Sequence, residues 1–358
     1  MQITLLVGNG FDIQAGLHTR YADFYKYLKS KAKNDEQLKR NVIYLDIDGN
    51  EDKWSDFELA LMGLTHECGD GLESRFTHTK LAQDKHEIQK YLAEYLNKVN
   101  AEFDVDANSK EIIGEFKRSI SRLLNTLPIQ RQEELTAKVP LTGNTNELQL
   151  NVIDFNYTSL FESSYDLLGN SLLERIGYYG QNSQRDLPVK RNGYTKIHGN
   201  TVSNMNLGGH KSQISESFAD SDYYFFFDKE SLELSNGTNK YKDASNYIRS
   251  SNLYIILGMS LGETDRAWWE KIAKAMGAEN KALIIYEYDP NESINDSPFL
   301  RNPSIQRVKD RFMSFTENLN SKQQKSVRDR VFVQFNSKLF NLSELNVDRT
   351  DYSSIVNN

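Results

Sequence analysis

Four short runs constrain this chain most: ITLLV (Ile3–Val7), LNVIDF (Leu150–Phe155), LYIIL (Leu253–Leu257) and ALIIY (Ala282–Tyr286) are predominantly apolar, without strict alternation, and rich in β-branched residues. A strand wetted on one side alternates apolar and polar residues; a strand buried on both faces does not. The runs therefore predict an α/β fold, a parallel sheet enclosed between helices. A weaker run, YTKI (Tyr194–Ile197), adds a fifth strand, and VFVQF (Val331–Phe335) a further one near the end.

About 125 residues separate the first two runs, and their pattern is helical. Leu81, Ile88, Tyr91, Leu92, Tyr95, Val99 and Phe103 recur at helical spacing, as do Ile112, Ile113, Phe116, Ile120, Leu123, Leu124 and Leu127 before Pro128. A crossover this long exceeds one β-α-β unit, so residues 27–148 read as a helical insertion, a cap over the sheet edge. The sheet domain is then residues 1–26 and 149–290. Residues 291–358 form a C-terminal extension packed on the core, with a charged helix around Ser304–Leu319 and a loose polar end.

Composition excludes several function classes. A net charge of −7 opposes broad capture of nucleic acid or of an anionic membrane. The densest basic stretch, Lys29–Arg40, reads as a solvated helix face or loop. A single cysteine, Cys68, excludes an internal disulfide framework and any multi-cysteine zinc site, which points to a reducing cytoplasm. His18, His66, His78, His86 and His210 show no metal-ligand spacing, so no metal is expected. No basic leader and no apolar run of membrane-spanning length stand in the sequence, and a soluble, unprocessed protein is expected.

After the first run comes GNGFD (Gly8–Asp12), where a helix should begin. Without a Cβ, Gly8 and Gly10 let the backbone turn sharply or approach a ligand, and ligands of α/β sheets gather outside the carboxyl ends of the strands. The third glycine is Gly16, so the usual G-x-G-x-x-G spacing is not met, and a tight turn without a ligand stays open. Other strand ends are polar too. Asn156 and Thr158 follow the second run, His198 and Gly199 follow YTKI, and Gly258, Ser260 and Asp265 follow LYIIL.

Structural roles compete at each position. Asn156 or Thr158 can cap the next helix, Asp12 can be an N-cap, and Ser260 or Thr264 can cap the helix carrying Trp268 and Trp269. WSDFE (Trp54–Glu58) has the Ser-x-x-Glu pattern of a capping box, although Glu58 facing the crevice would add a carboxylate there. The aromatic run DYYFFFDKE (Asp222–Glu230) reads as buried against the sheet, with an exposed contact surface as the alternative.

GNGFDIQAGLHTRYADF, WSDFE, FNYT (Phe155–Thr158) and HG (His198–Gly199) together resemble the bacteriophage abortive infection AbiH family. Behind it stands the wider sirtuin-like superfamily, similar in its glycine-rich turn, Gly16-Leu17, Asn156, His198-Gly199 and Gly258-Met259-Ser260-Leu261, in that order. The resemblance implies a Rossmann-like, NAD-binding sheet. The four cysteines of zinc-bearing sirtuin deacylases are missing, so protein deacylation is not expected.

The resemblance also implies cleavage of the bond between nicotinamide and ribose. His198 would take a proton from water or a ribose hydroxyl, Asn156 would fix the water or the ribose, and Asp12 would contact the nicotinamide amide or ribose. Gly8, Asn9, Gly10, Phe11, Thr158, Gly199, Gly258, Ser260, Leu261 and Glu287 would hold the nucleotide. The leading expectation is an anti-phage effector that hydrolyses NAD to nicotinamide and ADP-ribose. The alternative is a module that senses NAD, ADP-ribose or a related nucleotide without turning it over. An effector that depletes NAD must be restrained before infection, which homo-oligomerisation or the helical cap could do, with a phage-derived trigger as a candidate partner.

Overall fold

The computed structural model describes residues 1–50, 53, 56–69, 71, 74–139, 147–170, 172–180, 183–202, 205–235, 239–290 and 298–345. Among these are seven strands: β1 (Gln2–Val7), β2 (Leu148–Asp154), β3 (Leu172–Gly180), β4 (Ser183–Lys196), β5 (Leu253–Leu257), β6 (Ala282–Glu287) and β7 (Val331–Phe335). They form one sheet in the order β3-β4-β2-β1-β5-β6-β7. Every neighbouring pair is parallel except the β3–β4 hairpin.

Numbered among themselves, the six parallel strands run 3-2-1-4-5-6. The chain starts mid-sheet, winds outward through β2 and β4, then returns to β5 and winds to the other edge. The reversal lies between β1 and β5, the switch point at whose carboxyl ends sheets of this kind gather their ligands.

The central strands are apolar on both faces because both faces are covered. Leu5, Val7, Leu150, Val152, Ile255 and Ile284 belong to one core, and Leu6, Ile153, Ile256, Leu283 and Ile285 to another. The alternation is the period of two expected of a strand. The second core is closed by the helices Lys240–Ser250, Arg266–Ala278, Pro298–Met313 and Ser321–Arg328, through Ala244, Ile248, Trp269, Ile272, Val308, Phe312 and Val327.

The first core is closed by the insertion. Phe24 and Tyr27 of the helix Tyr21–Ala32, Leu81 and Ile88 of His78–Asn100, and Ile112 and Phe116 of Ser109–Arg122 share it with the strands. The helices Tyr21–Ala32, His78–Asn100 and Ser109–Arg122 thus pack over one sheet face. The second insertion helix stops at Arg122; Leu123, Leu124 and Leu127 are buried in the turn beyond it, and Pro128 stands at the N-cap of Ile129–Lys138.

The extension also completes the sheet. β7 pairs with β6, and Leu339, Phe340 and Leu342 then return to the first core. The Phe340 ring meets Phe116 edge-on at 5.0 Å, and its N–H donates to Ser119 Oγ at 2.7 Å. No helix among the described residues is long and apolar enough to cross a membrane.

Candidate functional site

One row of paired residues, Lys196–Asp154–Val7–Leu257–Tyr286–Gln334, crosses the six parallel strands. Two residues beyond it stand His198, Asn156, Asn9 and Met259. The strand-end positions singled out from the sequence therefore lie at one level of the sheet, on consecutive strands around the switch point.

The glycine turn is built against the end of β5. Gly8 N–H donates to Leu257 O at 3.0 Å and Gly10 N–H to Gly258 O at 2.8 Å. A Cβ on Gly10 would stand 2.6 Å from Gly258 Cα, and Gly258 itself has φ +66°. The glycines thus serve first to let two strand-end loops touch backbone to backbone. Asn9 takes the N-cap position of the helix Gly10–Gln14 and binds Thr19, donating to its carbonyl at 3.0 Å.

Asp12 lies inside that helix and caps nothing. Its Oδ2 accepts from Thr158 Oγ1 at 2.5 Å, while its buried Oδ1 has no partner among the described residues. Burial above all pushes this carboxyl up to about 7; Asp154 adds to the shift, and the Thr158 hydrogen bond and Lys196 oppose it. Beneath it, Asp154 accepts from Tyr194 Oη at 2.6 Å, Lys196 Nζ at 3.1 Å and the Asn156 N–H at 2.8 Å. Lys196 also donates to the Thr158 carbonyl.

Asn156 makes none of the caps open to it. Ser159 holds the N-cap position of the next helix, and both polar atoms of the Asn156 amide are buried without a partner among the described residues. Buried amides are almost always paired, so this group is anomalous unless a ligand meets it.

His198 stands at the head of a buried ionic chain. Its ring lies edge-on to Phe155 at 5.1 Å and against Tyr157 at 5.8 Å, and Gly199 behind it turns the chain at φ +74°. Nε2 is 3.0 Å from Asp265 Oδ1, with the N–H off the straight line of a regular hydrogen bond. Lys229 Nζ bridges Asp265 at 3.0 Å and Glu58 Oε2 at 2.7 Å. Tyr157 Oη donates to Glu58 Oε1 at 3.1 Å and to the Asn206 carbonyl at 2.9 Å. Burial alone would push the Asp265 carboxyl up; Lys229 and then His198 outweigh it and hold it well below the usual carboxylate range. Burial likewise works against the Lys229 ammonium, and Asp265 and Glu58 more than reverse it, raising its pKa. A cavity of about 20 Å³, room for one water, borders His198, Asp265 and Lys229.

Other sequence candidates lie apart from this cluster or serve the core. Phe11 is core, edge-on to Phe161 at 5.0 Å. Ser260 is exposed, and Leu261 is buried at φ +54°. Arg311 reaches both the Ser260 carbonyl and Glu287 Oε1, each at 3.3 Å. Neither Ser260 nor Thr264 is the N-cap of the helix that follows; Asp265 holds that position, and Trp268 and Trp269 are core. Asp56 caps the helix Phe57–Leu64 by accepting the Leu59 N–H, while Trp54 and Ser55 lie outside the described residues. The aromatic run divides: Phe227 is buried, and Phe225 and Phe226 are exposed.

Four cluster members were not singled out from the sequence. Asp154 and Lys196 carried a signal, since a charge within a strand buried on both faces must be paired. Lys229 and Tyr157 carried none of their own: one sits inside the run DYYFFFDKE, the other inside FNYT.

Fold and site define an α/β protein with a buried polar cluster at the carboxyl ends of its parallel strands, beside the point where the strand order reverses. The family model described as Bacteriophage abortive infection AbiH matches residues 4–288, and the chain belongs to that family. Comparison with curated proteins finds no match.

Proposed function

We propose that this protein binds NAD at the switch point of its sheet and hydrolyses the nicotinamide–ribose bond, as an effector of abortive infection. The observation carrying this reading is Asn156, whose amide is buried at the end of a central strand with both polar atoms unpaired. Each unsatisfied group costs about 1–3 kcal/mol, a cost that a ribose hydroxyl or a held water removes. The 3-2-1-4-5-6 strand order and the glycine turn beside it favour a nucleotide as that ligand and support the sirtuin-like, Rossmann-type reading.

In this reaction the electron pair of the N-glycosidic bond leaves with nicotinamide, which departs as a neutral base. Water adds to the electron-poor ribose carbon, and His198 takes the proton that water loses. Asn156 fixes the water or the ribose hydroxyls, and Asp12 contacts the nicotinamide amide or the ribose. The product left behind is ADP-ribose.

Asp12, Asn156 and His198 are 1%, 3% and 6% exposed, so NAD reaches them only when the segments over them open. That closure favours a second reading, a sensor that opens on binding and leaves NAD intact. Calorimetry with NAD and ADP-ribose, combined with chromatography of the products, separates the two. Hydrolysis predicts nicotinamide in the mixture and weaker ADP-ribose binding in Asn156→Ala; sensing predicts tight NAD binding with all NAD recovered. Absence of binding by either nucleotide at millimolar concentration rejects both.

A further inference from the structure

We infer that Asp265 is the positioning residue for His198, and that Lys229 and Glu58 make this positioning depend on the docked insertion. The inference rests on the proposed role of His198 as proton acceptor. A histidine base works when one ring nitrogen is held by an acceptor and the other is free. Asp265 Oδ1 stands 3.0 Å from Nε2, an ion-pair contact whose N–H lies off the straight line of a regular hydrogen bond, and Nδ1 makes no hydrogen bond to a described residue. The geometry therefore leaves Nδ1 to take the proton.

Asp265 is itself held. Lys229 touches it at 3.0 Å and ties it to Glu58 at 2.7 Å. These residues come from four separate stretches: the end of β4, the segment after β5, the helix Lys229–Ser235 and the insertion helix Phe57–Leu64. Two carboxylates contact one lysine in this chain, so a proton arriving on His198 meets the negative charge of Asp265. If Glu58 moves away with the insertion, Lys229 is left to Asp265 alone, and the carboxylate that steadies the imidazolium is drawn toward the lysine. The base is thus assembled only while the insertion helix is seated.

Wild type, Asp265→Asn and Glu58→Gln are compared by nicotinamide release from NAD and by NMR of isotope-labelled histidine. In Asp265→Asn, kcat is expected to fall by about 10²–10⁴ with KM within about twofold, and the His198 ring signals to change from one tautomer to a mixture. Glu58→Gln keeps Asp265 beside His198 and is expected to lower kcat by about tenfold at unchanged KM. Wild-type kcat and an unmoved His198 tautomer in Asp265→Asn overturn the positioning role. If Asp265→Asn does not fold, Glu58→Gln decides, because wild-type turnover in that variant contradicts the chain. A wild-type protein that releases no nicotinamide refutes the hydrolase reading separately; the tautomer comparison then still supports or overturns the hold of Asp265 on His198.

Discussion

Gly10 and Gly258 meet backbone to backbone, with a built Cβ on either residue falling within 2.6–3.0 Å of main-chain atoms of the other. Main chain cannot swing aside as a flexible side chain does. Gly10→Ala is therefore expected to cost about 2–4 kcal/mol of stability, read as a lower urea midpoint. Gly114, exposed on the helix Ser109–Arg122 with open space at its Cβ, is the control. Gly114→Ala should be neutral or gain up to about 1 kcal/mol. Equal losses in both variants would contradict the close approach.

Asp12 gives the protein a pH signature. Its folded pKa of about 7 lies above the ordinary 3.8, so the native state binds the proton more tightly than the unfolded chain. Stability then falls as pH rises through the window from about 4 to 7 and is level above it, by up to about 4 kcal/mol in all. Asp12→Asn removes that loss. Its melting temperature should match wild type near pH 4 and exceed it at pH 8; a constant difference across that range would count against a buried, protonated Asp12.

Lys196 sustains the same corner. It neutralises Asp154, which is fully buried under Asn156 and Thr158. Lys196→Met leaves that carboxylate unpaired and is expected to cost about 3–5 kcal/mol. Adding Asp154→Asn should recover much of the loss, and denaturant titration of the single and double variants measures the coupling.

The central strands were legible in the sequence because burial on both faces leaves an unbroken apolar run, as in LYIIL and ALIIY. The β3–β4 hairpin was not: β4 carries Gln184, Arg185, Asp186, Lys190 and Arg191, and only its last residues, from Tyr194, look like a strand. The insertion's helices were legible from their periodicity, whereas the surface they cover is set by the first core, which no local pattern encodes. For the site, Asp12, Asn156 and His198 stood out because each follows an apolar run. Lys229 did not, since its partners Glu58 and Asp265 lie 171 and 36 residues away in the chain. Ser260 follows a strand and Glu287 ends one, yet both lie outside the buried cluster and share Arg311 instead.

The most direct test is the rate of nicotinamide release from NAD by purified protein at several concentrations, measured by chromatography beside His198→Ala. The account predicts stoichiometric nicotinamide and ADP-ribose from wild type, and a rate lower by about 10²–10⁴ in the variant. Nicotinamide released equally fast by His198→Ala, or NAD bound and recovered whole from wild type at every concentration, would contradict it.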